Sequence, residues 1–349
     1  MDIKVKKFIR KWIKIPQTSN IDIMFHSKGG AVQLPSYLYD HGHIIAESNP
    51  QDEVFEDALN ESKEAPKNLR LQHQECVRTR DRKKNLAIFK NKHAENITAN
   101  ANSLLMQGEW SRLFELQSSD VKFSSLCKGL SEATYRFLIR SSNNSLPTAS
   151  YLQKINPRIS GSCIKCGNDL QTLHHVLVNC PQSLENGLYT FRHNKVLNSL
   201  KTFIENSIGE NYELLVDLPD SMTSFTIPPN IMATELRPDI SIINRQNKEM
   251  TLVELTVCWD RSSTAAEARK SNKYAPLVSE LGELGWNAKL LTIEIGCRGY
   301  TTNENAMKLK QLIKSKAERT KLLIQVNQDA ITTSYIIYIN RNNKDFRPN

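Results

Sequence analysis

Two groups of side chains in this chain have the types and spacing that chemistry needs. In the first, Cys163 and Cys166 form a C-x2-C turn followed by Gly167, and His175 with Cys180 form H-x4-C shortly after. Four soft or borderline donors are what tetrahedral Zn2+ takes; the turn offers two thiolates and a short helix offers the other pair. Three thiolates and one imidazole leave the bound complex anionic, which suits a structural ion better than a Lewis acid. The binding free energy of such a site is folding free energy. His174 precedes His175 directly and would point to another face of a helix, so one of the two ligates from that turn, and His175 is preferred.

The second group is acidic. Arg237-Pro238-Asp239 through Ile243 reads as a strand with proline at its start, and Met250 to Cys258 reads as a second strand rich in Val, Leu and Thr. A hairpin centred between Gln246 and Asn247 puts Asp239 opposite Glu254. Cross-strand neighbours have Cβ atoms about 4.5–5.5 Å apart, where like charges repel and a divalent cation relieves the conflict. Val253, Leu255 and Val257 take the other face, the expected core side. Two carboxylates on a polar strand face suit Mg2+, which polarises a phosphate and activates a bound water. An acidic surface pair without a metal is the plain alternative.

The elements around that pair supply amines. Thr264-x-x-Glu267 is a capping box that opens a helix carrying Lys270, Lys273 and Tyr274, with Glu267 read as a cap before a metal ligand. Lys270 lies one turn before Tyr274 on the side of the apolar stripe Leu277, Val278 and Leu281, so it must snorkel out to water or find an anion. There it would stabilise charge developing on phosphorus or orient water, whereas Lys273 reads as solvent-facing or phosphate-contacting. Pro276 is expected to bend or shorten the helix. A third strand, Lys289 to Ile295, leads to Gly296-Cys297-Arg298-Gly299, a loop whose backbone could approach a phosphate.

Composition sets the frame for these elements. The 349 residues predict two or three compact units, with 39% hydrophobic and 24% charged residues. No apolar run approaches the ~18 residues of a membrane span, and Met1 to Pro16 lacks the apolar stretch of a signal peptide. A net charge of +9 and a pI near 9.1 favour a polyanionic partner. Of seven cysteines, three cluster with histidines, which points to a reducing compartment, cytosol or nucleus. Four segments are expected. Residues 1–45 form a small helical unit ending at a turn, and 46–150 a helical, basic, partly flexible linker with Arg78, Arg80, Arg82, Lys83 and Lys84. Residues 151–229 carry the knuckle and further helix, and 230–349 form a last unit beyond the prolines Pro219, Pro228 and Pro229.

In order along the chain, these residues resemble the restriction-like-endonuclease lineage of non-LTR retrotransposons. Arg10-Lys11-Trp12 through Gly29-Gly30 and Leu34-Pro35-Ser36 is similar to that family's exit from the reverse-transcriptase thumb. Asn144-Ser145-Leu146-Pro147-Thr148 resembles its Asn-Ala-Leu-Pro-Thr element, Thr172-Leu173-His174-His175 the surroundings of its knuckle histidine, and Arg192-His193-Asn194 a further downstream element. Arg237-Pro238-Asp239, Glu254 and Lys270-x-x-Lys273-Tyr274 resemble its nuclease signature, a variant of the PD-(D/E)XK core in which the lysine has moved from strand to helix; Thr256 stands at the strand position.

The resemblance implies an α+β fold: a helical region with a zinc knuckle, then a restriction-like nuclease domain with a mixed central sheet flanked by helices. It implies Asp239 and Glu254 as Mg2+ ligands, Lys270 or Lys273 in catalysis, and nucleic-acid contacts at Arg237, Arg298, Arg192 and His193. The implied activity is nicking of target DNA in the nucleus, so that the exposed 3′-hydroxyl primes reverse transcription of element RNA. The chain has no Asp-Asp pair of the kind a polymerase site uses, so the polymerase is expected as a partner in cis or in trans. The rival from another class is a non-catalytic nucleic-acid-binding remnant, which would bind DNA or RNA without cutting.

Overall fold

A computed structural model describes residues 8, 10, 11, 91, 95, 97–104, 108–113, 117–167, 169–221 and 223–348. Most of residues 1–45 and of the linker 46–150 before residue 117, including the basic cluster at 78–84, lies outside the described residues. The chain divides into two compact units, Met1–Phe114 and Glu115–Asn349. In the first, α1 (Gly108–Leu113) buries Trp110, and Arg112 donates to the Asn102 carbonyl at 2.6 Å.

The second unit runs α2 (Phe123–Lys128), α3 (Glu132–Ser142), α4 (Ala149–Ile155), a π-helical turn (His175–Asn179), α5 (Pro181–Glu185), α6 (Leu188–Glu205), β1 (Glu213–Val216), β2 (Ile240–Asn244), β3 (Glu249–Cys258), α7 (Ser263–Glu283), β4 (Asn287–Gly296), α8 (Asn303–Leu309) and α9 (Lys316–Ile339). It is mixed α+β. The sheet order is β1-β2-β3-β4, antiparallel across the first two pairings and parallel between β3 and β4, with α7 as the crossover. The β2–β3 register is the one the turn sequence predicts: Ile240 faces Val253 and Asn244 faces Glu249, which leaves Asp239 beside Glu254 at the end of the ladder.

Hydrophobic burial fixes this arrangement. Tyr274, Leu277 and Leu281 of α7 pack on Ile243, Met250 and Leu252. Each such side chain withdrawn from water contributes about 1.5–3 kcal/mol. The opposite face is covered by α6 and α9, which also pack on each other. Both faces of β3 are therefore inside, and the polar face expected on its Glu254 side is roofed by α7. Two other expectations change. The helix begins at Ser263 after a 3-10 turn (Asp260–Ser262), its N-cap Ser262 makes no side-chain cap bond, and no Thr264 box forms. Pro276 neither ends nor shortens α7, because it lies on the exposed side, where water can satisfy the carbonyl one turn back. Finally, β1 was not anticipated, and it joins the sheet from before the boundary expected at Pro229.

Gly296, where β4 enters its loop, has no room for a side chain. A Cβ there would overlap Asp260 Oδ1 and lie 2.8 Å from Tyr300 Cβ. Asp260 cannot yield, because it accepts from Arg298 Nε at 2.7 Å in a fully buried pair. Gly296→Ala is expected to destabilise the unit by about 1–3 kcal/mol, the range for overpacking, measured as a shift of the urea midpoint at unchanged slope.

Candidate functional site

The knuckle is built by short local bonds. Cys163 N–H donates to the Asp169 carbonyl at 2.7 Å, and Gly167 N–H to the Cys163 carbonyl at 2.7 Å. Gly167 closes the turn at φ +82°, a left-handed conformation that glycine adopts without steric cost. His175 and Cys180 are five residues apart, which an α-helix at 3.6 residues per turn would leave about 140° out of alignment. The π-helical turn His175–Asn179 widens the spiral and returns both to one side.

The result is a closed donor set. The ligand atoms of Cys163, Cys166, His175 and Cys180 lie within 4.8 Å of one another. Cys163 Sγ is 4.0 Å from Cys180 Sγ, and Cys166 Sγ is 3.5 Å from His175 Nε2. Zn–S bonds of about 2.3 Å span a tetrahedral edge of about 3.8 Å, so the set is the right size for zinc. His175 presents Nε2 inward while Nδ1 lies 3.7 Å from Asp169 Oδ2, the outer partner that orients a ligating imidazole. Burial lowers its pKa against the pull of Asp169, which favours the neutral, ligating ring. His174 turns away, edge-on to the Trp259 ring at 5.2 Å between centroids.

The chain after α9 is fastened to this knuckle. Lys165, between the first two cysteines, is buried and donates to the Asn343 carbonyl at 2.8 Å. Gln171 donates to Asn342 Oδ1 at 2.9 Å, and Asn186 to the Lys344 carbonyl at 2.7 Å.

The carboxylates meet at the open end of the β2–β3 ladder. Asp239 is 9% exposed and Glu254 2%. Asp239 N–H donates to Glu254 Oε2 at 3.3 Å, and Leu255 N–H donates to Asp239 Oδ2 at 2.6 Å. Lys270 reaches down from α7 and donates to Glu254 Oε1. Burial and the neighbouring Asp239 charge push the Glu254 pKa up, against the pull of Lys270. Lys273 does not join them. Its ammonium lies 3.1 Å from Tyr274 Oη and 4.6 Å from that ring's centre, while Tyr274 Oη donates to the Arg237 carbonyl at 2.9 Å.

His193, expected as a nucleic-acid contact, arrives instead at Asp239, with Nε2 3.2 Å from Oδ2 and Nδ1 3.2 Å from Asn194 Oδ1. Burial lowers its pKa, but the hydrogen bond to Asp239 and that residue's charge outweigh burial, and the net shift is upward. Beside it opens a cleft of about 670 Å³ lined by Thr190, His193, Asn194, Asp217, Arg237 and Asp239. Arg237 stands at this cleft, half-exposed and paired with Asp217.

Two arginines are not where nucleic acid could touch them. Arg192 is 2% exposed; its α6 position turns it toward α9, where Nη1 donates to Ser334 Oγ at 3.1 Å. Arg298 is 4% exposed, paired with Asp260, stacked 3.9 Å over the Trp259 ring, and donating to the Ser141 carbonyl at 3.2 Å. A buried cation must be paired, and inside the fold these guanidiniums bind protein rather than phosphate. Glu267 neither caps α7 nor joins the Asp239 pair: it accepts from Lys308 at 2.7 Å, whose ammonium also contacts Thr292 Oγ1 and Glu294 Oε2. Neither a family model nor a curated protein matches the chain.

Proposed function

We propose that this chain is the nuclease-bearing part of a non-LTR retrotransposon protein, a metal-dependent DNA endonuclease that nicks target DNA so the freed 3′-hydroxyl primes reverse transcription of element RNA. The observation that carries this reading is the convergence of Asp239, Glu254 and Lys270 beside a polar cleft. An antiparallel strand, a parallel strand pair and a crossover helix bearing the lysine are compatible with a PD-(D/E)XK core whose lysine has migrated to α7.

Asp239 and Glu254 would hold Mg2+. The donor set fits: two hard oxygen donors lie side by side, and burial with mutual repulsion raises the Glu254 pKa, a conflict that a divalent cation relieves. When bound, Mg2+ polarises a phosphate and lowers the pKa of its water. Around it, Lys270 holds Glu254 in place and presents positive charge where negative charge develops on the phosphorus oxygens. Arg237 offers a backbone phosphate a second cation at the cleft, in competition with Asp217. Zinc in the knuckle is structural, and the polymerase acts in cis or in trans.

The test is conversion of supercoiled plasmid to nicked circles by the full chain in Mg2+. Lys270→Ala is expected to lose roughly 10²–10³-fold in rate, the effect of removing one preorganised donor, and Lys273→Ala to nick nearly as the wild type. Equal rates for the two variants would remove Lys270 from the site, and DNA binding without cleavage would select the remnant.

A further inference from the structure

We infer that His193 is a positioning residue of the carboxylate site, holding Asp239 so that one of its oxygens belongs to the protein and the other to the cation. This rests on the nuclease reading and adds a residue from α6, an element outside the β2–β3–α7 core of that site.

The bonds to Asp239 are asymmetric. Leu255 N–H and His193 Nε2 both approach Oδ2, at 2.6 and 3.2 Å. Oδ1 takes no hydrogen bond or ion pair among the described residues. A carboxylate fixed through one oxygen coordinates through the other, and loss of such an outer partner typically weakens metal affinity 10–100-fold. The backbone amide alone would leave the carboxyl group free to swing about its Cα–Cβ and Cβ–Cγ bonds; a second donor from another helix removes that freedom. His193 is itself held, since Nδ1 meets Asn194 Oδ1 at 3.2 Å and its side chain is 26% exposed, walled by the cleft.

Direct ligation by the imidazole is the competing role, and the geometry disfavours it. Among the described residues, the knuckle is the only group of three or more His, Cys, Asp or Glu side chains placed to hold a metal ion together, and His193, Asp239 and Glu254 do not form a second one. The histidine braces one carboxylate from outside, and Lys270 braces the other.

The experiment titrates Mn2+ into the zinc-loaded full chain and follows free Mn2+ by electron paramagnetic resonance, with no substrate present. Two substitutions separate the donor from the ring. His193→Gln keeps an N–H at the reach of Nε2, and His193→Phe keeps the ring without an N–H. Melting midpoints matching the wild type confirm that each is folded. The expected result is affinity about 10–100-fold weaker in His193→Phe and close to wild type in His193→Gln. Wild-type affinity in His193→Phe, or equal weakness in both variants, overturns the inference while leaving the nuclease proposal standing. Mn2+ binding that Asp239→Asn does not change would instead overturn the carboxylate site itself.

Discussion

Asp239→Asn is expected to abolish Mg2+-dependent nicking while leaving a folded protein. The substitution keeps the side chain's volume and an oxygen that can still accept from Leu255 N–H, the 2.6 Å bond that seats the residue. What it removes is charge. A catalytic divalent ion supplies several kcal/mol of transition-state stabilisation, which at tenfold per about 1.4 kcal/mol amounts to a rate loss of roughly a thousandfold or more. Removing the Asp239 charge also eases the repulsion that raises the Glu254 pKa, so Glu254 ionises more readily and pairs more fully with Lys270. The pair thus becomes quieter electrostatically as it becomes inactive, and thermal stability should hold or rise while cleavage disappears. Plasmid nicking at matched Mg2+, beside a melting curve, checks both halves. Wild-type rates from Asp239→Asn would end the assignment of this site.

Loss of the knuckle metal has the larger effect on structure. Apparent free energies for structural zinc are about 10–16 kcal/mol, comparable with the entire 5–15 kcal/mol by which a typical domain is stable. Cys180→Ser removes a buried ligand whose own N–H donates to Tyr189 Oη at 2.9 Å, and the ring of the same tyrosine lies 5.4 Å from the Arg192 guanidinium of α6. The disturbance therefore passes from the knuckle into the helix that carries His193. It also passes to the end of the chain, because Lys165 and Gln171 hold Asn343 and Asn342. Native-state mass spectrometry should find one zinc per chain. Chelation or Cys180→Ser should open tryptic sites together at Lys165, Arg341 and Lys344. Equal protease resistance with and without zinc would show that the four donors hold nothing the fold depends on.

What could be read directly from residues is what local geometry determines. The knuckle donors were legible because ligand type and spacing are set within one short segment, although the π-helical turn that aligns His175 with Cys180 was not. The register placing Asp239 by Glu254 follows from a tight turn, where the loop fixes every later pair. Failures came where tertiary packing decides. Nothing about Arg192 or Arg298 as sequence distinguishes a surface guanidinium from one buried against Ser334 or Asp260. Thr264 and Glu267 have capping-box spacing, but the 3-10 turn starts α7 earlier and Lys308 claims the glutamate. His193 lay inside an element already noted, yet its encounter with Asp239 spans 46 positions and needs α6 laid across the sheet.

The strand Glu213–Val216 is the outer neighbour of β2 and enters from the side of the chain that carries the knuckle. A segment cut out at Pro229 would carry β2 with an unpaired outer edge and would lack the helix whose His193 meets Asp239. The residues on the two sides of Pro229 therefore belong to one folding unit, and neither side completes the sheet alone.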